Sequence, residues 1–201
     1  LPKCMISLKG KPLLEYQINS MTANGISKIA AITGYLGNKV NHSKITKKFE
    51  NQIWKETNMV YSLSMADEWL SKYDCIVSYG DIFYDKKAIS EISKSRDNIT
   101  ITYDINYKEL WEKRFIKPLD DLETFVIDSS KYIMEIGNKP KDFDKVMGQF
   151  MGLLKITPKG WEDIKSLISL NEIKRIDMTE MLNLLILREY KIKAIEYDSF
   201  W

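Results

Sequence analysis

Histidine and cysteine are nearly missing from this chain: its 201 residues include one His and two Cys. A structural zinc site or a disulfide framework needs more of both, so neither organises the fold. Cys4 and Cys75 fall in strand-like runs and read as small core residues in a reducing compartment. His42 lies in a polar segment without a second His or Cys nearby, and reads as a surface residue, not a metal ligand. Charge of one sign is missing too. The 30 basic and 28 acidic residues are interspersed, which leaves a net charge of +2 and no electrostatic footprint for nucleic acid. No apolar run approaches the ~20 residues of a membrane span, and no signal-peptide pattern opens the sequence. The expectation is a cytoplasmic protein with neither a nucleic-acid nor a membrane partner. No linker rich in Gly, Pro or Ser divides the chain and no internal repeat is visible, so residues 1–201 read as one domain.

What is present is an alternation of elements. Lys3–Leu8 reads as a short strand, and Gly10-Lys11-Pro12 leads into a helix whose apolar face includes Leu13, Leu14, Tyr16, Gln17, Ile18 and Met21. Ile29–Thr33 is the next strand, followed by a polar helix from Lys39 to Phe49 and an amphipathic one from Met59 to Leu70. A further helix over Lys86–Ser95 and a strand over Ile99–Tyr103 continue the β-α-β rhythm. The second half differs. Thr124–Ile127 and Tyr132–Ile136 form a hairpin signal, and Met147–Ile156 is a long strand. Its Gly148 and Gly152 suggest a bulge or a close backbone approach. Helices from Thr157 to about Leu170 and over Met178–Glu189 precede a last strand, Ile192–Tyr197. The pattern predicts an α/β fold: a three-layer α/β/α arrangement on a mainly parallel sheet, with an antiparallel addition in the second half.

Between the helix at 59–70 and the helix at 86–95 lies Tyr73-Asp74-Cys75-Ile76-Val77-Ser78-Tyr79-Gly80-Asp81-Ile82-Phe83. Its apolar centre reads as a buried strand that stops at Gly80-Asp81. Open α/β sheets bind ligands at such carboxyl ends. Gly80 lets a backbone or phosphate come close, and Asp81 offers hard oxygens to a divalent cation. A tight turn with Asp81 as a simple cap is the other reading.

Several stretches resemble the sugar-phosphate and phosphocholine-type nucleotidyltransferases: Leu1-Pro2-Lys3-Cys4, Gly10–Ile18 and Gly34-Tyr35. Thr57–Leu63 and Tyr79–Ile82, with Leu110–Arg114, Asp121–Glu123 and Gly148–Leu153, are most similar to the phosphocholine and phosphoglutamine cytidylyltransferases. The resemblance implies a Rossmann-like domain and an acceptor phosphate oxygen attacking the α-phosphorus of a nucleoside triphosphate, CTP favoured, with pyrophosphate leaving. Family members carry a glycine-rich strand and loop ahead of the Pro-Lys and a Glu-x-Asp after the final aromatic. This sequence opens at Leu1 and closes at Trp201, so an active site trimmed at both ends is the expectation.

By this resemblance Lys3 and Asp81 are the catalytic pair, with Asp81 also the ligand of Mg²⁺, the implied cofactor. Asn58, Ser62, Tyr79 and Gly80 fall on the nucleotide side. Asn58 and Ser62 share a helix face near its amino end, suited to an anion or a base edge, although Asn58 also reads as a plain cap. Asp104, Trp111, Arg114, Glu123 and Gln149 fall on the acceptor side. The Trp111 ring suits an ammonium, Arg114 a phosphate or carboxylate, and Asp104 and Glu123 an amine, while Gln149 offers an amide to either ligand. Trp111 with Leu110 and Phe115 also reads as a core patch. Trp54, Trp69 and Trp161 are left to packing. The implied partners are a nucleoside triphosphate and a small phosphorylated acceptor, in a chain that could self-associate. Two alternatives stay open: a hexose-1-phosphate nucleotidyltransferase using UTP or dTTP, and a catalytically silent nucleotide-binding domain.

Overall fold

Two strands are buried along nearly their whole length and set the frame: β6 (Ile99–Asp104) and β9 (Gln149–Ile156). We describe them from a computed structural model of the protein, which covers residues 1–168 and 174–199. The expected helix end near Leu170 and the terminal Trp201 lie outside the described residues.

In chain order, β1 (Ser7–Leu8) and β2 (Lys11–Pro12) precede α1 (Leu13–Ala23), β3 (Ile29–Thr33) and β4 (Ile45–Glu50). Next come α2 (Met59–Ser64), α3 (Asp67–Leu70), β5 (Cys75–Ser78) and α4 (Lys86–Ser93). After β6 follow α5 (Tyr107–Arg114), β7 (Phe125–Ile127) and β8 (Ile133–Ile136). Beyond β9 lie α6 (Pro158–Ile168), α7 (Met178–Leu187) and β10 (Lys193–Tyr197).

The main sheet has the order β10-β6-β9-β5. β10 runs parallel to β6, whereas β9 is antiparallel to both β6 and β5. β5, β6 and β10 therefore share one direction, and the antiparallel strand of the second half lies inside the sheet. The α/β architecture stands as expected. Alternate residues of β9 feed opposite faces. Leu154 and Ile156 join a core with Leu63, Trp161 and Leu182, and Met151 and Leu153 join one with Ile89, Ile92 and Tyr197. Each fully buried Ile or Leu contributes about 1.5 to 3 kcal/mol, so the two faces hold the helices on both sides. β3 and β4 form a separate parallel pair, and β7 and β8 an antiparallel one.

The insertion of β9 has a consequence for the site. Its amino end meets the carboxyl ends of β5 and β6: Gln149 pairs with Asp104, and Leu153 with Ser78. The two glycines make this possible. A Cβ at Gly148 would come within 2.4 Å of the Tyr103 ring, and one at Gly152, where φ is +80°, within 2.6 Å of the Tyr79 ring. Between Ile101 and Tyr103 the β6–β9 register shifts. The expected bulge and close approach coincide here.

Four expectations need correction. Lys3–Met5 is a single 3₁₀ turn, not a strand, because Pro2 presets the turn and its carbonyl accepts the Met5 N–H at 2.9 Å. Only Ser7–Leu8 is extended, paired with Lys11–Pro12 across Lys9 and Gly10, both at positive φ as a tight hairpin turn demands. The polar helix expected over 39–49 is instead β4, where Ile45, Lys47 and Phe49 are the more buried of alternating residues, a period of two, not 3.6. The helix over 59–70 breaks at Met65-Ala66 into α2 and α3. His42 is partly buried, with Nε2 3.1 Å from Glu15, and this contact lowers the Glu15 pKa. Among the described residues no helix is long and apolar enough to cross a membrane.

Candidate active site

Lys3 and Asp81 are 78 positions apart in sequence, yet Lys3 Nζ lies 3.0 Å from Asp81 Oδ2. The 3₁₀ turn presents Lys3, and the loop after β5 presents Asp81. Their side chains are 77% and 39% exposed, so the pair adds at most about 1 kcal/mol to stability. What it does is hold a cation and a carboxylate together on accessible surface, at the carboxyl end of a sheet strand. Gly80 beside them is exposed, and a Cβ on it would sit 3.4 Å from Cys4 Cβ. Both cysteines are half-buried, and burial pushes both thiols up, Cys75 to about 11. Gly80 and Cys4 also border a mainly apolar cavity of about 780 Å³ between β3 and β5.

A smaller cavity, of about 330 Å³, gathers several of the candidate acceptor-side residues. Tyr79, Trp111, Glu123 and Gln149 line it, and so do Asp121 and Asp177. None of its described lining residues is basic. Burial raises the Glu123 pKa, and the neighbouring Asp177 and Asp121 raise it further. Tyr79 lies between this cavity and the Lys3–Asp81 corner, lining the first and preceding Gly80-Asp81 in the chain. Its ring packs edge-on against Phe150, with centroids 5.9 Å apart. Burial, followed by the charges of Asp177, Glu123 and Asp81, pushes its phenol well above the ordinary range.

The remaining candidate residues are held as follows. Trp111 is 7% exposed and packs with Tyr107, Leu122 and Val146, so it is a core residue that also forms cavity wall. Its indole N–H donates to Asp121 Oδ2 at 3.0 Å, which fixes that carboxylate. Arg114 is exposed and outside the cavity lining, with its guanidinium 5.7 Å from the Trp111 ring centroid. Asp104 is buried away from the lining and accepts the Asn106 N–H at 2.8 Å, a turn-forming role. Gln149 Nε2 donates to the carbonyls of Glu123 and Gly148, both at 2.8 Å. Its amide braces the Glu123 segment and does not point a free donor at a ligand. Asn58 caps α2 by accepting the Met59 N–H at 2.8 Å, and donates to the Arg175 carbonyl at 3.0 Å. Ser62 donates back to the Asn58 carbonyl at 3.2 Å and accepts from buried Asn51 at 3.0 Å. Trp54, Trp69 and Trp161 pack against Tyr35, Phe49 and the main core respectively.

No family model matches the chain. A CTP:phosphoglutamine cytidylyltransferase from Campylobacter jejuni is 30% identical over 218 residues, spanning 100% of this chain and 86% of its own length. The chain belongs to the nucleotidyltransferase family. A choline-phosphate cytidylyltransferase from Streptococcus pneumoniae is 33% identical over 73 residues, 35% of this chain and 32% of its own. The solved inositol-1-phosphate CTP transferase of T. maritima superposes with a TM-score of 0.77 at 18% identity, over 99% of this chain and 78% of that one. The CTP:phosphocholine cytidylyltransferase of Streptococcus pneumoniae gives 0.70 at 19% identity, over 98% and 81%. Both share the fold.

In this nucleotidyltransferase the sequence reading missed Asp121 and Asp177 as wall residues. Asp121 lies two residues before Glu123, in the same Asp121–Glu123 stretch. Asp177 caps α7, accepting the Glu180 N–H at 2.9 Å, and a capping Asp carries no local sign that it also faces a cavity. Gln17 was missed as well. Counted with an apolar face, it is 4% exposed and donates to the carbonyls of Tyr79 and Ile82, on either side of Gly80-Asp81.

Proposed function

We propose that this enzyme transfers CMP from CTP to a small zwitterionic acceptor that bears a phosphate or phosphonate at one end and an amine at the other. The observation that carries this is the 330 Å³ cavity with Asp121, Glu123 and Asp177 in its wall, an aromatic ring at Trp111 and no basic lining residue among those described. Glu123 and Asp177 are half-buried and Asp121 is exposed, so three carboxylates share one wall with no cation in its described lining. An ammonium there would meet all three, while the Trp111 ring adds about 0.5 to 2 kcal/mol for a cation. A neutral sugar would leave the carboxylates uncompensated. The names of the Campylobacter and Streptococcus relatives, which specify phosphoglutamine and choline phosphate, support the same class.

The Lys3–Asp81 corner suits the phosphate end. Among the described residues no group of three His, Cys, Asp or Glu could cage a metal ion. One accessible carboxylate is nevertheless the donor set that fits Mg²⁺ arriving with a triphosphate, since Mg²⁺ takes one or two carboxylates and fills the rest with phosphate oxygens and water. Bound through Asp81, Mg²⁺ would supply charge neutralisation at the α-phosphate. Lys3 places an ammonium on the phosphates as a compact point charge. The acceptor's phosphate oxygen forms the new bond to the α-phosphorus, the bond to the bridging oxygen breaks, and pyrophosphate carries the electron pair away. The chain's contribution is position and charge, which is where phosphoryl-transfer enzymes act.

The test is pyrophosphate release by the full-length protein with each of four nucleoside triphosphates against phosphocholine, phosphoglutamine, 2-aminoethylphosphonate and glucose 1-phosphate. CTP with one of the zwitterions should turn over fastest. Faster use of UTP or dTTP with the sugar phosphate overturns the reading, and no turnover with any pair favours a silent nucleotide-binding domain.

A further inference from the structure

We propose that Gln17, on α1, is a positioning residue for Asp81. The inference rests on the reading of Asp81 given above and adds a residue that touches neither substrate. Gln17, Ser20 and Asn24 follow one another at spacings of three and four, so they form one stripe along α1. The whole stripe faces the chain between β5 and α4. Gln17 Nε2 donates to the Tyr79 carbonyl at 2.8 Å and to the Ile82 carbonyl at 2.7 Å. Ser20 Oγ donates to the Tyr84 carbonyl at 3.1 Å, and Asn24 Nδ2 to the Lys86 carbonyl at 2.9 Å. One helix and its C-cap thus hold three carbonyls of a loop that has no regular structure of its own, and the first carbonyl of α4.

The positions of these bonds decide which residue matters for chemistry. The end of the loop near α4 is held several times over. Asp85 caps α4 through the Lys87 N–H at 2.7 Å, and Tyr197 Oη donates to Asp85 Oδ1 at 3.1 Å. The end near Asp81 is held by Gln17, whose two bonds bracket Gly80-Asp81. Gly80 has the widest backbone freedom of any residue, so a segment containing it stays in one conformation only if its flanks are fixed. A primary amide is the suitable group, because one nitrogen supplies two donors to two carbonyls. An apolar side chain of similar length would take the buried donor from the Ile82 carbonyl, leave the Tyr79 carbonyl with Ser78 Oγ at 3.0 Å, and let Asp81 drift from Lys3. Displacement of a catalytic group by about 1 Å lowers rates by about a hundredfold in unfavourable cases.

The experiment uses the full-length protein and the substitutions Gln17→Met and Asp81→Asn, singly and together, with CTP and the best zwitterionic acceptor. Gln17→Met should lower kcat by about tenfold and leave the acceptor KM within about twofold. Hydrogen–deuterium exchange in the free protein should rise in residues 79–86 and stay unchanged in 149–156. The double variant should be no slower than Asp81→Asn alone, since Gln17 acts through Asp81. Full additivity of the two effects, or faster exchange spread over the whole sheet with kcat per folded molecule unchanged, overturns the proposal. If Asp81→Asn alone keeps near-normal activity, the reading of Asp81 fails instead, and the two failures are told apart. Should Gln17→Met not fold, Ser20→Ala and Asn24→Ala act on the same loop: a small rise in exchange over 79–86 with kcat reduced at most about twofold supports the graded clamp, and unchanged exchange in both overturns it.

Discussion

The Lys3–Asp81 corner and the carboxylate cavity are built in opposite ways. The corner is exposed and rests on one ion pair between two short segments. The cavity is walled by side chains from residue 59 to residue 179, and its polar groups are tied to backbone or to each other. The difference matches the two ligands proposed. A triphosphate carries its own charge and its own metal, and needs an accessible pair of groups. A small zwitterion needs a fixed wall, because its recognition depends on where each charge is met.

The sharpest way to break the comparison is at Asp81. Asp81→Asn removes a charge from a 39% exposed side chain without changing its shape, so the melting temperature should stay within a few degrees of the parent. kcat should fall by well over about tenfold with Mg²⁺, because the site would lose its one candidate metal carboxylate. Calorimetry and steady-state rates measured side by side check both halves. Near-normal activity would move the chemistry away from this corner.

On the cavity side, Glu123→Gln should raise the acceptor KM by about tenfold and leave that for CTP unchanged, the loss of a charge partner in a partly desolvated wall. Its pH behaviour gives a second reading. Burial and the nearby Asp177 and Asp121 raise the Glu123 pKa in the folded state above its ordinary value. The stability linked to this group is fully present below the ordinary pKa and is lost as pH rises through the raised one. The variant mimics the protonated form, so its melting temperature relative to the parent should climb across that window. Acceptor affinity should do the reverse in the parent, weakening as pH falls and Glu123 takes up its proton, and the variant should lose that component of the pH dependence. A variant less stable than the parent at neutral pH contradicts the strain assigned to this carboxylate.

These two regions also differed in how far the sequence disclosed them. Gly80-Asp81 after an apolar run is a local pattern, so its place at the end of β5 could be read directly. Trp111, Glu123 and Gln149 were each picked out, but their convergence depends on β9 entering antiparallel between β5 and β6, which no local pattern encodes. Asp177 reaches the wall from the start of α7 and was invisible for that reason. β4 was misread because Lys47 and Lys48 hide an alternation that only Ile45 and Phe49 mark. Asp104 was grouped with the acceptor for its charge, and Arg114 for its charge and its place in the Leu110–Arg114 stretch, and the structure gives the first a turn and the second an exposed place over an indole ring.

A smaller effect should separate the two functions of Trp111. Trp111→Ala would cost about 3 to 5 kcal/mol as a large core truncation and so confuse binding with folding. Trp111→Phe keeps an aromatic face and removes the N–H that fixes Asp121 at 3.0 Å. The acceptor KM should rise by about threefold, with the CTP value unmoved. Equal rises in both would make Trp111 a packing residue with no part in acceptor choice.

Asn58 should give the smallest functional effect of all, although its side chain stands at the start of a helix that borders the cavity through Met59. Its amide oxygen accepts the Met59 N–H and its nitrogen donates to the Arg175 carbonyl, so both ends of the amide are occupied. Asn58→Ala removes a cap, at a cost of about 1 kcal/mol in stability, together with the side-chain tie to the Arg175 carbonyl, while the backbone bond from the Asn58 N–H to the Lys174 carbonyl stays. Asn58→Ser restores the cap but not the tie. The Ser variant should recover most of the lost stability, and neither should change the KM for CTP by more than about twofold. A tenfold rise for CTP in both variants would show that this amide exchanges its internal partners for the nucleotide when it binds, and would place the nucleotide against α2.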